Sequence, residues 1–316
     1  MPDIAVSVQA EPADLASWLT LARRVESAGF RALVMGDHPG SGASPWPALG
    51  SAAAVTRTLR LGTYVAQAGV REPMHVAADA ATLDVLAPGR VLLGIGAGHT
   101  PREWEDIGQH RPGPRERAER LAEFVEVVAR LLHGETVTWE SPHLTLRGSR
   151  LEGLPAGGTV GLVVGGGHPE VLRAAARRAD VVGLSGLGRT LADGHEHTVR
   201  WSRADLERQV ELVRDEAQRA GNAPVLEALV QRVTVTGDRA AAIRETSERI
   251  PGASAADVAR TPFLLIGTYE EMAAQMLAQA EEFGITGYVV REPAVPHLER
   301  VLALLRVSRQ AEKAEW

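Results

Sequence analysis

Cysteine is absent from the 316 residues. Disulfides, thiolate nucleophiles and Cys-ligated metals or clusters are therefore excluded. Lysine is nearly absent too, since Lys313 near the end of the chain is the only one. A phosphate-binding aldolase or isomerase barrel would need a catalytic lysine inside a strand, and none is there. Aromatic residues are sparse at 4%, and Trp104, Trp139 and Trp201 read as packing or lid residues rather than stacking platforms for nucleic acid. No window approaches the roughly 20 uninterrupted apolar residues of a membrane span. The start, Met1-Pro2-Asp3-Ile4, has no basic region leading into an apolar stretch, so a cytoplasmic location is expected. There is no excess of positive charge: Lys+Arg number 34 against 40 Asp+Glu, a net charge of −6. That balance carries no electrostatic footprint of a nucleic-acid or membrane partner.

What is present is an ordinary globular composition, 45% hydrophobic and 23% charged, enough for a sizeable core. No linker, repeat or low-complexity segment interrupts it, so one domain is expected over 1–316. Short β-branched runs alternate with stretches of helical period. Strands are predicted at Ile4–Val8, Ala32–Gly36, Arg60–Ala66, Arg90–Gly96, Val160–Val164, Asp180–Leu184, within Leu226–Val235 and at Gly287–Val290, with a further apolar run at Phe263–Gly267. Helices are predicted over Pro12–Ala28 (closed by Gly29), Pro47–Arg57, Pro73–Leu86, Pro114–Leu132, Ser202–Ala220, Asp238–Arg260, Tyr269–Phe283 and Pro296–Val307. Thr136–Trp139 and His143–Leu146 read as a small hairpin, and Ser185–Arg200 as irregular. Eight β-then-α units of this size point to an α/β (β/α)8 barrel with insertion segments. An open doubly wound sheet fits the periodicity almost as well.

In a barrel, chemistry gathers just after the strands. Asp37-His38 follows the second strand, where the pair could accept a hydrogen bond from a ring and relay a proton. Read as structure, Asp37 caps a turn and His38 lies in a loop. Gly62-Thr63-Tyr64-Val65 reads on its own as an ordinary barrel strand. Gly94-Ile95-Gly96-Ala97-Gly98-His99 is glycine-dense without the GxGxxG spacing, so its glycines suit a flat ring packed on backbone, with His99 at the mouth. Gly165-Gly166-Gly167-His168 runs from strand into helix. There, free amides and a helix N-terminus favour an anion, although a tight strand–helix turn is the plain alternative. His195-Glu196-His197 could be taken for metal ligands, but no partner set of defined spacing accompanies it, and no metal is expected.

Together these stretches resemble the luciferase-like flavin/deazaflavin oxidoreductases over essentially the whole chain. The resemblance is carried by Gly62-Thr63-Tyr64 through Pro73, Ala80 to Asp84, Gly89 to Gly98, Leu131 to Thr138, and Ile266 to Met272. It implies a (β/α)8 barrel with the cofactor across its mouth: coenzyme F420 (an 8-hydroxy-5-deazaflavin), with FMN as the alternative. It also implies that Asp37 and His38 face the ring and that a non-prolyl cis peptide at Tyr64-Val65 lies behind it. By the same resemblance, Gly165, Gly166, Gly167 and His168 hold the phosphate, and Ser185-Gly186 contact the tail. Trp46, His99 and Trp104 would wall the substrate, with His38 or His99 as proton donor. One departure stands out, because His99 occupies the place where the related sugar-phosphate dehydrogenases carry a glutamate. No Lys/Arg cluster for a sugar phosphate is read in the sequence either. The activity implied is F420H2-dependent hydride transfer to an activated C=C or C=N bond of a small or natural-product substrate, by a homodimer. An FMN-dependent monooxygenase and a non-catalytic flavin-binding barrel are the other readings.

Overall fold

The computed structural model describes residues 2–153, 159–190 and 197–314, without the side chains of 190 and 309–314. Eight parallel strands close a barrel: β1 (Ala5–Gln9), β2 (Ala32–Met35), β3 (Arg60–Gln67), β4 (Val91–Gly96), β5 (Gly161–Gly165), β6 (Val181–Leu184), β7 (Val225–Leu229) and β8 (Ile285–Arg291). Closure is made by β1 pairing with β8, with Ala5 opposite Gly287 and Gln9 opposite Arg291. That pairing decides the closed barrel over the open sheet.

Alternation along each strand divides the residues between two layers. Leu33, Leu61, Leu93, Val164 and Val182 face outward into the main core beneath the helices. Ala32, Val34, Leu92, Val163, Val181 and Val289 face inward and pack around Tyr64. A charged group shares this interior. Glu227, 3% exposed, lies 3.5 Å from the Arg31 guanidinium and is hydrogen-bonded to the Tyr64 hydroxyl. Burial pushes the Glu227 carboxyl up to about 7, against the lowering effect of Arg31 and Tyr64. Tyr64 is thereby tied down inside the barrel while its main chain stays at the mouth.

Several boundaries differ from the sequence reading for identifiable reasons. The first helix is Leu15–Ser27, because the Asp14 carboxylate caps it by accepting from the Ser17 amide at 3.0 Å. The second is Pro45–Ala53, with both prolines in the first turn, where amides have no helical partner anyway. The predicted helix over Asp238–Arg260 is two helices, Arg239–Arg249 and Ala255–Arg260. They are separated by Gly252 at φ 83° and a capping box from Ser254 to Asp257. The predicted strand in Leu226–Val235 is also two. The Val230 amide donates to the Val289 carbonyl at 2.8 Å, which ends the barrel pairing. The next amide, Gln231, donates to Phe263 at 2.7 Å, and Arg232–Val235 then pairs with Leu264–Gly267 in a separate parallel sheet. Ser185–Arg200, predicted irregular, contains an antiparallel pair, Leu187–Thr190 with His197–Val199. The small hairpin forms as Val137–Glu140 and Thr145–Ser149. Among the described residues no helix is long and apolar enough to cross a membrane.

Candidate active site

The C-terminal ends of the strands open into one cavity of about 1150 Å³. Asp37, His38, Tyr64, Val65 and His99 stand on its wall, as do Gly165, Gly166, Gly167, His168 and Ser185. Three residues expected there do not reach it. Trp46 packs against the outer core. Trp104 is 1% exposed and lies behind the wall, where a Cβ on Gly98 would come within 2.5 Å of its ring. Gly186 turns away at φ 66°, with the Phe263 ring where a side chain would go.

The floor is made by β3. The Tyr64–Val65 peptide is cis, the Gln9 amide donates to the Tyr64 carbonyl at 2.6 Å, and the β3–β4 register shifts between Thr63 and Ala66. Val65 consequently lies on bare glycine backbone. A Cβ on Gly96 would sit 2.4 Å from its Cγ2, and one on Gly94 would sit 3.2 Å from its Cγ1. Glycine is required at these two positions by close approach.

Asp37 is 2% exposed, and both its oxygens are engaged. Arg71 grips them in a two-pronged pair at 2.7 and 3.1 Å, and the Gln67 amide donates to Oδ2 at 3.3 Å. Asp37 therefore shapes the loop rather than offering a free carboxylate to a ring. Arg71 carries no motif that marks it in the sequence.

His38 is the member of the pair left to do chemistry. Its Nδ1 bonds Glu103 Oε1 at 2.7 Å, and the other Glu103 oxygen accepts from the Gln67 side chain. Glu103 is 2% exposed on the short helix Pro101–Asp106. The hydrogen bond to Glu103 raises the His38 pKa above its ordinary value, and burial only partly opposes it. A carboxylate four residues after His99 thus reaches back to the residue that follows β2. With Nδ1 bound, Nε2 is the nitrogen open to a ligand.

His99 behaves in the opposite way. Its ring lies 5.9 Å from His38 and 5.1 Å from His197, centroid to centroid. Enclosure by protein, then the cationic fields of His197, His38, Arg111 and Arg117, holds it down to about 4. A neutral His99 is a hydrogen-bond partner and not an acid at neutral pH. His195 and Glu196 lie outside the described residues.

At the glycine turn, the Gly166 amide is spent on the Gly183 carbonyl at 3.1 Å, and the Gly167 carbonyl accepts from Arg200 at 3.1 Å. His168 caps the helix Pro169–Arg178, its Nδ1 accepting from the Glu170 amide at 3.3 Å. Its ring is therefore occupied as a cap. The amides of Gly167 and His168 take no acceptor among the described residues, which leaves two donors beside a helix N-terminus for an anion.

The electrostatics of the wall were hidden in the sequence. Arg111, Arg117, Arg189, Arg200, Arg232 and Arg291 all line the cavity, and Asp37, already neutralised by Arg71, is the only carboxylate among the described lining residues. The basic cluster that the linear sequence does not display is assembled from four separate segments. It favours a ligand with negative charge.

The mouth of the barrel thus joins a histidine of raised pKa, a glycine-floored slot and an arginine-rich wall that favours negative charge. The chain belongs to the luciferase-like monooxygenase family, whose profile matches residues 1–287. It is 34% identical over 226 residues to an F420-dependent glucose-6-phosphate dehydrogenase of Beutenbergia cavernae, covering 65% of this chain and 64% of that one. It is 37% identical over 159 residues to a 4-hydroxyprotoasukamycin monooxygenase of Streptomyces nodosus subsp. asukaensis, covering 46% and 42%. The chain thus spans less than two thirds of the length of these curated relatives. In structure it resembles an F420-dependent secondary alcohol dehydrogenase in complex with an F420-acetone adduct, at TM-score 0.71 and 20% identity over 92% of this chain and 93% of that one. It also resembles a riboflavin lyase with modified FMN and riboflavin, at TM-score 0.76 and 17% identity over 97% and 92%. At these identities the structural likeness establishes the barrel fold.

Proposed function

We propose that the protein is an oxidoreductase dependent on coenzyme F420, acting on an activated C=C or C=N bond of a small or natural-product molecule. The observation that carries this reading is His38, its pKa raised by the hydrogen bond that pins it to Glu103, on the wall of a cavity roomy enough for a cofactor and a substrate together. The residues fit the cofactor class: bare glycine backbone around Val65 accepts a flat ring, while the amides of Gly167 and His168, without an acceptor among the described residues, and the arginines suit a phosphate-bearing tail. When bound, the deazaflavin supplies the hydride chemistry. The protein's part is to orient and to manage the proton. Glu103 fixes the His38 ring and stabilises its cationic form, so that Nε2 gives a proton to the substrate and recovers it from solvent. His99, held neutral, orients by hydrogen bonding. The dimer that the family resemblance implies belongs to this proposal, with light scattering as its check.

A second reading is supported by the monooxygenase relative, an FMN-dependent oxygenation in the same cavity. Fluorescence titration with F420 and with FMN separates the two. Binding of F420 at least tenfold tighter than FMN is the expected result. Tight FMN binding with none for F420 overturns the proposal, as does binding of neither, whereas binding without turnover favours the non-catalytic barrel. Replacing His38 by alanine should lower kcat by about 10²- to 10⁴-fold while F420 affinity changes little.

A further inference from the structure

We propose that Arg111 and Arg117 form an anion subsite on the cavity wall beside His99, built for one carboxylate or phosphate group. The proposal deepens the oxidoreductase reading by giving its cavity a specific charge requirement. The two arginines flank Gly113-Pro114, where the helix Pro114–Leu132 begins, and so come from a different segment than the Gly165–Gly167 turn.

Three observations carry it. First, this chain provides partners for its other partly buried arginines. Arg71 grips Asp37, Arg90 donates to Thr56 and to the Leu59 and Ala53 carbonyls, and Arg239 donates to the Ile266 and Ala259 carbonyls. Arg111 and Arg117 differ at one atom: the Nε of each is buried and, among the described residues, has no hydrogen-bond partner. A buried donor on a cation is costly to leave unpaired.

Second, they are close enough for Arg111 to act on Arg117, and among the described residues neither is in an ion pair. Burial lowers the pKa of both, and the field of Arg111 adds to this at Arg117, which is pushed down to about 10. Both remain cationic at neutral pH, so the repulsion is retained until an anion arrives.

Third, Arg117 is held in place for the task. It donates to the Pro112 carbonyl at 2.7 Å and lies 6.0 Å from the centroid of Trp104. This gives the fully buried Trp104, first read as a substrate wall, a different part: it backs the arginine that meets the ligand.

The groups facing His99 are His38, His197, Arg111 and Arg117, all cationic or potentially so. An anion seated on the arginine pair removes part of that field. Occupancy of the subsite therefore eases protonation of His99, which provides a readout that needs no turnover.

The experiment uses inorganic phosphate as the probe on the wild-type protein, with the histidine ring protons followed by NMR between pH 7 and pH 3. Phosphate should move the His99 midpoint upward from about 4. Arg111→Gln and Arg117→Gln should each weaken phosphate binding at least tenfold, with Arg117→Lys recovering part of the loss. An unmoved His99 midpoint at saturating phosphate, or equal phosphate affinity in wild type and both variants, overturns the proposal. The wild-type titration stands even if a variant fails to fold. A parallel F420 titration of the variants identifies the source of the anion. Loss of F420 affinity assigns the subsite to the cofactor tail, and unchanged F420 affinity with lost phosphate binding assigns it to the substrate. Because phosphate is measured without cofactor, the subsite and the F420 reading can fail independently.

Discussion

Replacing Glu103 by glutamine tests the assignment of His38 as the proton-carrying residue. Glutamine keeps the size of the side chain and can still accept from Gln67, so the change removes mainly charge. The bond lost is charge-assisted, 2.7 Å long, with a carboxylate that is 2% exposed. Such bonds contribute about 1.5–3 kcal/mol. The His38 side chain is 37% exposed, so solvent screening reduces the figure to about 1 kcal/mol. That corresponds to roughly a fivefold loss in the proton affinity of His38. The sign over pH follows from the direction of the shift. His38 has a raised pKa in the folded state, so its contribution to stability is fully present below its ordinary value of 6.5 and disappears as pH rises through the raised one. The variant should therefore be less stable than wild type by about 1 kcal/mol at pH 6, with a smaller gap at pH 9. Urea denaturation at the two pH values gives the energies, and NMR titration of the His38 ring gives the proton affinity. An unmoved His38 titration, or a gap as large at pH 9 as at pH 6, refutes the argument that the ion pair sets the charge of His38.

Other changes probe the supports of the site. Arg71→Ala strands the Asp37 carboxylate, 2% exposed, with a single amide donor and should cost about 3 kcal/mol in chemical denaturation; a loss below about 1 kcal/mol would show that Asp37 is solvated. In Gly96→Ala the new methyl would meet Val65 Cγ2 at 2.4 Å. It should cost about 1–3 kcal/mol of stability and at least tenfold in F420 affinity by fluorescence, and unchanged affinity would remove Val65 from the ring's floor. At the opposite end of the barrel, Glu26 accepts from the amides of Arg57, Thr58 and Leu59 at 2.7, 2.7 and 2.9 Å. Partial burial pushes its carboxyl up, but the three amides and the Thr58 hydroxyl outweigh that and hold it down at about 2. A lowered pKa stabilises above the unfolded value and is lost as pH falls through the folded one. Glu26→Gln should therefore cost about 1–2 kcal/mol at pH 7 and less at pH 3, measured by urea denaturation.

The alternation of β-branched runs and helical periods was enough to place the eight barrel strands, because period is a local property. Where local signals misled, tertiary pairing was the cause. Leu226–Val235 reads as one strand, and the split after Val230 depends on which neighbours its amides find, Val289 and then Phe263. Asp37-His38 reads as one motif, yet the structure gives the two residues opposite duties, since Arg71 takes the aspartate and Glu103 takes the histidine. Neither partner is flagged by spacing. Glu103 had one available cue, a carboxylate shortly after the glycine-rich strand end, on the short helix that follows it.

The sequence by itself determined the chemical inventory: no thiol, no interior lysine, histidines and glycines at strand ends, and a glycine-dense floor for a flat ring. Only the tertiary structure decided which of those groups carry charge. His38 and His99 are the same residue type with the same ordinary pKa. One is raised by Glu103, and the other is driven down to about 4 by enclosure and cationic neighbours. Likewise the net charge of −6 hides an arginine-lined cavity, because net charge sums over the chain while a ligand responds to the few charges around it. Residue types are fixed by sequence, whereas pKa and potential depend on distances between residues far apart in the chain, and those distances exist only once the barrel has closed.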